Sequence, residues 1–175
     1  RGTVVGTVMS NYGLELGLRE HGLSLERTPV GDRYVLERME ERGYKLGGEQ
    51  SGHIIIRDRL WTGDGILTSL LVASVMAETG KRLSELASVV VRVPQRLVNV
   101  RAADPKGLIG RAPVVEAIEK AQDELGDTGR VVVRASGTEP LVRIMVECVD
   151  SGKMESCIKY LEEVIRRESE TLHEG

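Results

Sequence analysis

Phenylalanine is absent from this chain of 175 residues, and aromatic side chains make up only 3% of it. Its cores must therefore rest on Val, Leu, Ile and Met, within a hydrophobic content of 41%. Few aromatics and a net charge of −3 argue against a nucleic-acid binder, which shows a basic stripe and stacking rings. Only two cysteines, Cys148 and Cys157, are present. Two make no disulfide framework, and their spacing matches no metal motif. Both fall at apolar-pattern positions, so buried reduced thiols are expected. No apolar run approaches the ~20 residues of a membrane span, and the first residues lack a signal-peptide pattern. These absences predict a cytoplasmic protein with no membrane and no nucleic acid as partner.

The length suits one large domain or two small ones. The first part alternates strand and helix. Thr3 to Met9 is a β-branched run, and Leu14, Leu18 and His21 recur at helical spacing. A strand over 23–27 precedes a helix over 32–42 that places Val35, Leu36 and Met39 on one face, with Asp32 as its N-cap. Strands follow at 44–46 and 53–57. An apolar helix over 64–79 carries Ile66, Leu67, Leu70, Leu71, Val75 and Met76, and is expected to be buried over the sheet. Val89-Val90-Val91 and residues 97–100 read as strands on either side of a boundary near Pro94. The second part reads β-α-β-β-α, with helices over 113–125 and 152–168 and strands at 131–133 and 141–148. In the last strand Val142, Ile144, Val146 and Cys148 share one face, leaving Leu141, Arg143, Met145 and Glu147 on the other. The expected fold class is α/β: a mixed-sheet α/β domain over 1–93, then a smaller α+β domain over 94–175.

Two loops carry chemistry. Arg134-Ala135-Ser136-Gly137-Thr138-Glu139-Pro140, with Arg143 three residues on, joins two strands and reads as a phosphate cradle. Gly137 lets the backbone turn and aim N–H groups at one point, Ser136 and Thr138 add hydroxyls, and the guanidiniums supply charge in a planar fork. A polar hairpin with solvated arginines is the alternative. Gly47-Gly48-Glu49-Gln50-Ser51-Gly52-His53 brackets a carboxylate, an amide, a hydroxyl and an imidazole with glycines, a set suited to a polyhydroxylated ligand. Its alternative is a tight turn around a half-buried, satisfied His53.

Together these loops resemble those of the α-D-phosphohexomutases. GEQSGH (Gly48 to His53) resembles the family's sugar-recognition loop, and RASGTEP (Arg134 to Pro140) its R-P-S-G-T-E-P phosphate loop, with Ala135 replacing the usual proline. GTVMSN (Gly6 to Asn11), VGDRYVLE (Val30 to Glu37) and TGDG (Thr62 to Gly65) agree in the family's order over nearly the whole chain. GEQSGH with VGDRYV favours the members that act on an amino sugar.

The resemblance implies the family's third domain over 1–93 and its C-terminal domain, with a TATA-box-binding-protein-like fold, over 94–175. A shared fold does not bring a shared ligand. It also implies an isomerase, an intramolecular phosphotransferase interconverting glucosamine 6-phosphate and glucosamine 1-phosphate. The route is a phosphoserine enzyme and a hexosamine 1,6-bisphosphate, supplying UDP-N-acetylglucosamine and peptidoglycan precursors. The family's TASHNP-like phosphoserine loop and DGDxDR-like magnesium loop have no counterpart in this sequence. The chain is therefore expected to be the third and fourth domains alone, with no catalytic residue and no metal site of its own. Mg2+ and the phosphoserine would lie in the missing N-terminal domains, which join the phosphosugar substrate as partners. The chain alone would hold at most a phosphate or sulfate and be inactive. Residue by residue, Glu49, Ser51 and His53 would bind the sugar, His53 with an auxiliary role in proton transfer or at a phosphate. Arg134, Ser136, Gly137, Thr138 and Arg143 would bind the phosphate that is not reacting. Gly31, Asp32 and Arg33 would face the cleft, although Asp32 also fits a helix cap and Arg33 a solvated charge. Pro29 stands where many relatives have lysine, which puts a basic role there in doubt. Two other readings stay open: the same fold acting on glucose or mannose phosphates, and a sugar-phosphate-binding module without catalysis.

Overall fold

The β-branched run near the start of the chain forms β1 (Thr3–Thr7) in the computed structural model, which describes residues 2–171. Strand β2 (Ser24–Thr28) and strand β3 (Leu46–Gly48) flank it in parallel, and β4 (Ile54–Ile56) adds to β3 antiparallel. The sheet is mixed, in the order β2-β1-β3-β4. Parallel neighbours need crossovers, and α1 (Tyr12–Glu20) and α2 (Asp32–Arg42) provide them. The register aligns Val5, Gly47 and Ile55 on one face, where Val35 and Met39 of α2 close a small core. This unit spans Arg1–Arg92, and a second compact unit spans Val93–Gly175.

Three expectations fail in the first unit. Asp32 does not cap α2: Gly31 holds the N-cap position, and the Asp32 carboxylate accepts only from the adjacent Arg33 N–H at 2.8 Å. Val89-Val90-Val91 is not a strand. It runs from α4 (Leu83–Ala87) along α1 instead, where glycines one turn apart let it approach. A Cβ on Gly13 would stand 1.9 Å from the Val91 carbonyl oxygen, and one on Gly17 2.4 Å from that of Val89. Finally, α3 (Gly65–Thr79), capped by the Asp64 side chain on Leu67 N–H, contains no buried residue. Ile66 is 77% exposed and Leu70 65%. Its apolar side chains lie all round the helix rather than along one stripe, so the sequence shows no face to pack on the sheet.

The Gly13 contact is testable. Alanine favours helix over glycine by about 1 kcal/mol, but the clash is with backbone, which cannot swing aside. Gly13→Ala should destabilise the first unit by about 1–3 kcal/mol in urea unfolding. Gly65→Ala, whose new methyl meets open space, should not. Equal effects at the two positions would remove the packing argument.

In the second unit β5 (Gln95–Arg101), β7 (Leu141–Cys148) and β6 (Gly129–Ala135) form an antiparallel sheet in the order β5-β7-β6. Helices α6 (Ala112–Leu125) and α7 (Ser151–Thr171) cover one face, burying Val114, Ala121, Ile144, Ile158, Leu161 and Ile165. The short α5 (Pro105–Ile109) was not expected. Its start joins a proline at the first helical position to an Asp104 side chain that accepts Gly107 N–H at 3.0 Å. The mixed α/β unit followed by an α+β unit is the expected fold class.

The second face of β7 is more closed than its alternation suggested, since Met145 and Glu147 are both buried. Glu147 meets the Arg130 guanidinium there. Cys148 and Cys157 are buried free thiols, and burial pushes the Cys157 thiol up to about 11, away from reactive thiolate. Among the described residues no helix is long and apolar enough to cross a membrane.

Candidate functional site

In the first unit β3 ends in Gly48, and the chain turns through Glu49 to Gly52 before β4. Glu49 N–H donates to the His53 carbonyl at 2.9 Å and Gly52 N–H to that of Glu49 at 3.0 Å, which closes the loop. Within it, Ser51 Oγ lies 3.2 Å from His53 Nδ1, and Glu49 Oε2 lies 3.9 Å from the same nitrogen. The His53 side chain is 57% exposed, so it is not the half-buried histidine of a plain turn; Glu49 is 11% exposed. The three side chains thus form one cluster, with an alcohol and an imidazole at the surface and a carboxylate behind them. Segment 60–63 runs beside it, with Gly63 against His53 and bridged to Ile55, and it carries the chain's only tryptophan, Trp61, 60% exposed.

The Gly31-Asp32-Arg33 turn joins this cluster, because Glu49 Oε1 accepts the Gly31 N–H at 2.9 Å. Arg33 points to solvent and pairs with Glu37 at 2.7 Å, a carboxylate that pushes its pKa upward. Glu49 and Gln50 also line a groove of about 270 Å³, whose walls are mostly hydrocarbon from Val4, Leu14, Leu46 and Ile54, with Ser10 and Asn11 among them.

In the second unit the β6–β7 register sets Arg134 directly opposite Arg143, so both side chains leave the same face. The connecting turn is braced from within: Ser136 N–H donates to the Leu141 carbonyl, and Ser136 Oγ accepts Glu139 N–H at 3.3 Å and an Arg143 nitrogen at 3.5 Å. Ser136 is buried, so its hydroxyl supports the turn first. Thr138 and Gly137 are exposed. Gly137 does not adopt positive φ and a Cβ there would meet open space, so neither backbone conformation nor packing demands glycine at this point of the turn. Glu139, overlooked in the sequence, holds an Arg143 nitrogen at 3.0 Å. Arg143 Nε is buried and makes no hydrogen bond within the protein. The turn thus brings two guanidiniums to one face of the sheet, one of them paired with Glu139.

Both units match family models. Residues 1–93 match "Phosphoglucomutase/phosphomannomutase, alpha/beta/alpha domain III", and residues 97–164 match the C-terminal domain of the same family. The chain belongs to the phosphohexomutase family. Its phosphohexomutase relatives include the phosphoglucosamine mutase of Streptomyces avermitilis, 53% identical over 94% of this chain and 36% of that protein. That of Streptomyces coelicolor is 55% identical over 85% of this chain and 33% of that protein. The chain thus spans about a third of the length of the curated relatives it matches. Among solved structures, N-acetylphosphoglucosamine mutase of Aspergillus fumigatus aligns with a TM-score of 0.79 at 19% identity, covering 95% of this chain and 38% of its own. An N-acetylglucosamine-phosphate mutase in a product complex aligns at 0.73 and 20% identity, over 93% of this chain and 38% of that one. At such identity these two matches speak for the fold alone. Another A. fumigatus structure holds GlcNAc-6P and magnesium. In this phosphohexomutase chain, no three His, Cys, Asp or Glu side chains among the described residues converge to hold a metal ion.

Proposed function

We propose that this chain is the ligand-holding portion of a phosphoglucosamine mutase, which interconverts glucosamine 6-phosphate and glucosamine 1-phosphate in the cytoplasm. Residues 1–93 would hold the sugar through Glu49, Ser51 and His53, and residues 94–175 a phosphate through Arg134, Arg143, Thr138 and the Gly137 backbone. The observation that carries the reading is the cross-strand Arg134–Arg143 pair, with its unpartnered Nε, on a chain 53% identical to a phosphoglucosamine mutase. A phosphate dianion gains charge-assisted hydrogen bonds from such a pair, and binding at the end that does not react positions the end that does. Glu49 and Ser51 suit a sugar presented in two orientations, since a carboxylate and a hydroxyl can exchange hydroxyl partners without loss. Among the described residues no group of three His, Cys, Asp or Glu side chains is placed to hold magnesium. The metal and the phosphoryl-carrying serine would belong to the rest of a protein of the relatives' length, and no step is routed through them.

The test is a substrate comparison on the complete protein with magnesium and a hexose 1,6-bisphosphate. Glucosamine 1-phosphate should be turned over with kcat/KM at least about tenfold above glucose 1-phosphate or mannose 1-phosphate, the discrimination of about one well-placed polar contact. Residues 1–175 alone should yield no product, because positioning without a phosphoryl carrier transfers nothing. A preference for glucose or mannose phosphate would move the protein to another branch of the family, and turnover by residues 1–175 would end the division of labour.

A further inference from the structure

Gly31 opens α2 in a conformation closed to most side chains, with φ of 134° and ψ of 128°. Having no side chain, it cannot cap the helix as serine or aspartate would. Its carbonyl accepts Tyr34 N–H at 3.0 Å and Val35 N–H at 3.3 Å, which leaves its own N–H to be satisfied. In a capping box the third helical residue returns a carboxylate to that N–H. Here the third residue is Tyr34, which has no carboxylate to return. The acceptor comes from 18 residues away in sequence: Glu49 Oε1, at 2.9 Å, on a side chain only 11% exposed.

We infer that Glu49 is a positioning residue, which pins the Gly31-Asp32-Arg33 turn to the Gly48–His53 loop and makes the two segments one preassembled element. One carboxylate oxygen is committed to the fold. The other, 3.9 Å from His53 Nδ1, stays on the side of the imidazole and Ser51. Loss of the carboxylate therefore acts twice, removing an acceptor from the loop and unmooring Asp32 and Arg33, which sit next to the pinned amide. The consequence for ligand rests on the function proposed above; the clamp itself does not.

Amide hydrogen exchange resolved to single residues, on the complete ligand-free protein, tests the clamp. With Glu49→Ala the Gly31 amide should exchange about tenfold faster or more, the usual worth of a hydrogen bond to a charged acceptor. Glu49→Gln keeps an oxygen in place and should restore protection to within about threefold of the parent. Amides of β6 and β7 should not change in either variant. Unchanged exchange at Gly31 in Glu49→Ala overturns the clamp, and so does equal loss of protection in both variants. Loss of protection across β1 in Glu49→Gln overturns it too, since the carboxylate would then support the sheet at large. In glucosamine 6-phosphate kinetics, Glu49→Gln should raise KM more than it lowers kcat, whereas Glu49→Ala should affect both. If Gly31 responds as expected while no variant and no parent binds a phosphosugar, the clamp stands and the proposed function falls.

Discussion

Replacing Arg134 with alanine in the complete protein should weaken phosphosugar binding by about one to two orders of magnitude, with little change in folding stability. The size follows from losing a charged donor to a phosphate, about 1.5–3 kcal/mol, with each 1.4 kcal/mol counting tenfold. The separation of binding from stability follows from position. Arg134 is partly buried at the end of β6, outside the second unit's core cluster. Titration calorimetry with glucosamine 6-phosphate and urea denaturation would be read side by side. Arg143 is a less clean probe, because its removal also frees Glu139 and undoes a contact to Ser136. Unchanged affinity in Arg134→Ala would reduce the cradle to a polar hairpin.

The largest stability effect should come from the other arginine on β6. Arg130→Ala leaves the buried carboxylate of Glu147, 0% exposed, without its guanidinium. Removing one member of a buried ion pair costs about 3–5 kcal/mol, far more than the same change at the surface. An exposed pair of the same chain, Arg33 with Glu37, provides the control: Arg33→Ala should cost under about 1 kcal/mol. Chemical denaturation followed by circular dichroism would compare the two. Similar midpoints for both variants would mean that water reaches Glu147 and that the pair behaves as surface charge.

Much of the architecture was legible in the sequence because local signals and packing agreed. The helix expected over 32–42 forms at Asp32–Arg42, since its apolar stripe of Val35, Leu36 and Met39 is the one that meets the sheet. Where the signal lacked direction, reading failed. The apolar composition of Gly65–Thr79 announces a helix but, with no single stripe, says nothing of what lies against it. The valines at 89–91 have strand propensity, yet the glycine surface of α1 claimed their backbone, a decision made by residues some 70 positions earlier. At the candidate site, residue types in the two loops were visible, and the alternation of β6 and β7 was enough to bring Arg134 and Arg143 to one face. The Gly31–Glu49 hydrogen bond and the hold of Glu139 on Arg143 are tertiary facts with no periodic trace.

A core assembled without phenylalanine also decides how this protein can be watched. Its single tryptophan lies in water rather than in a core, so indole emission is a poor witness of unfolding. The same placement makes Trp61 a native fluorophore beside the His53 loop, reached through Gly63 and the bridge to Ile55. Its quantum yield and accessibility to quenchers belong to the neighbourhood of the Gly48–His53 loop, and the molecule carries its own optical label there without any dye.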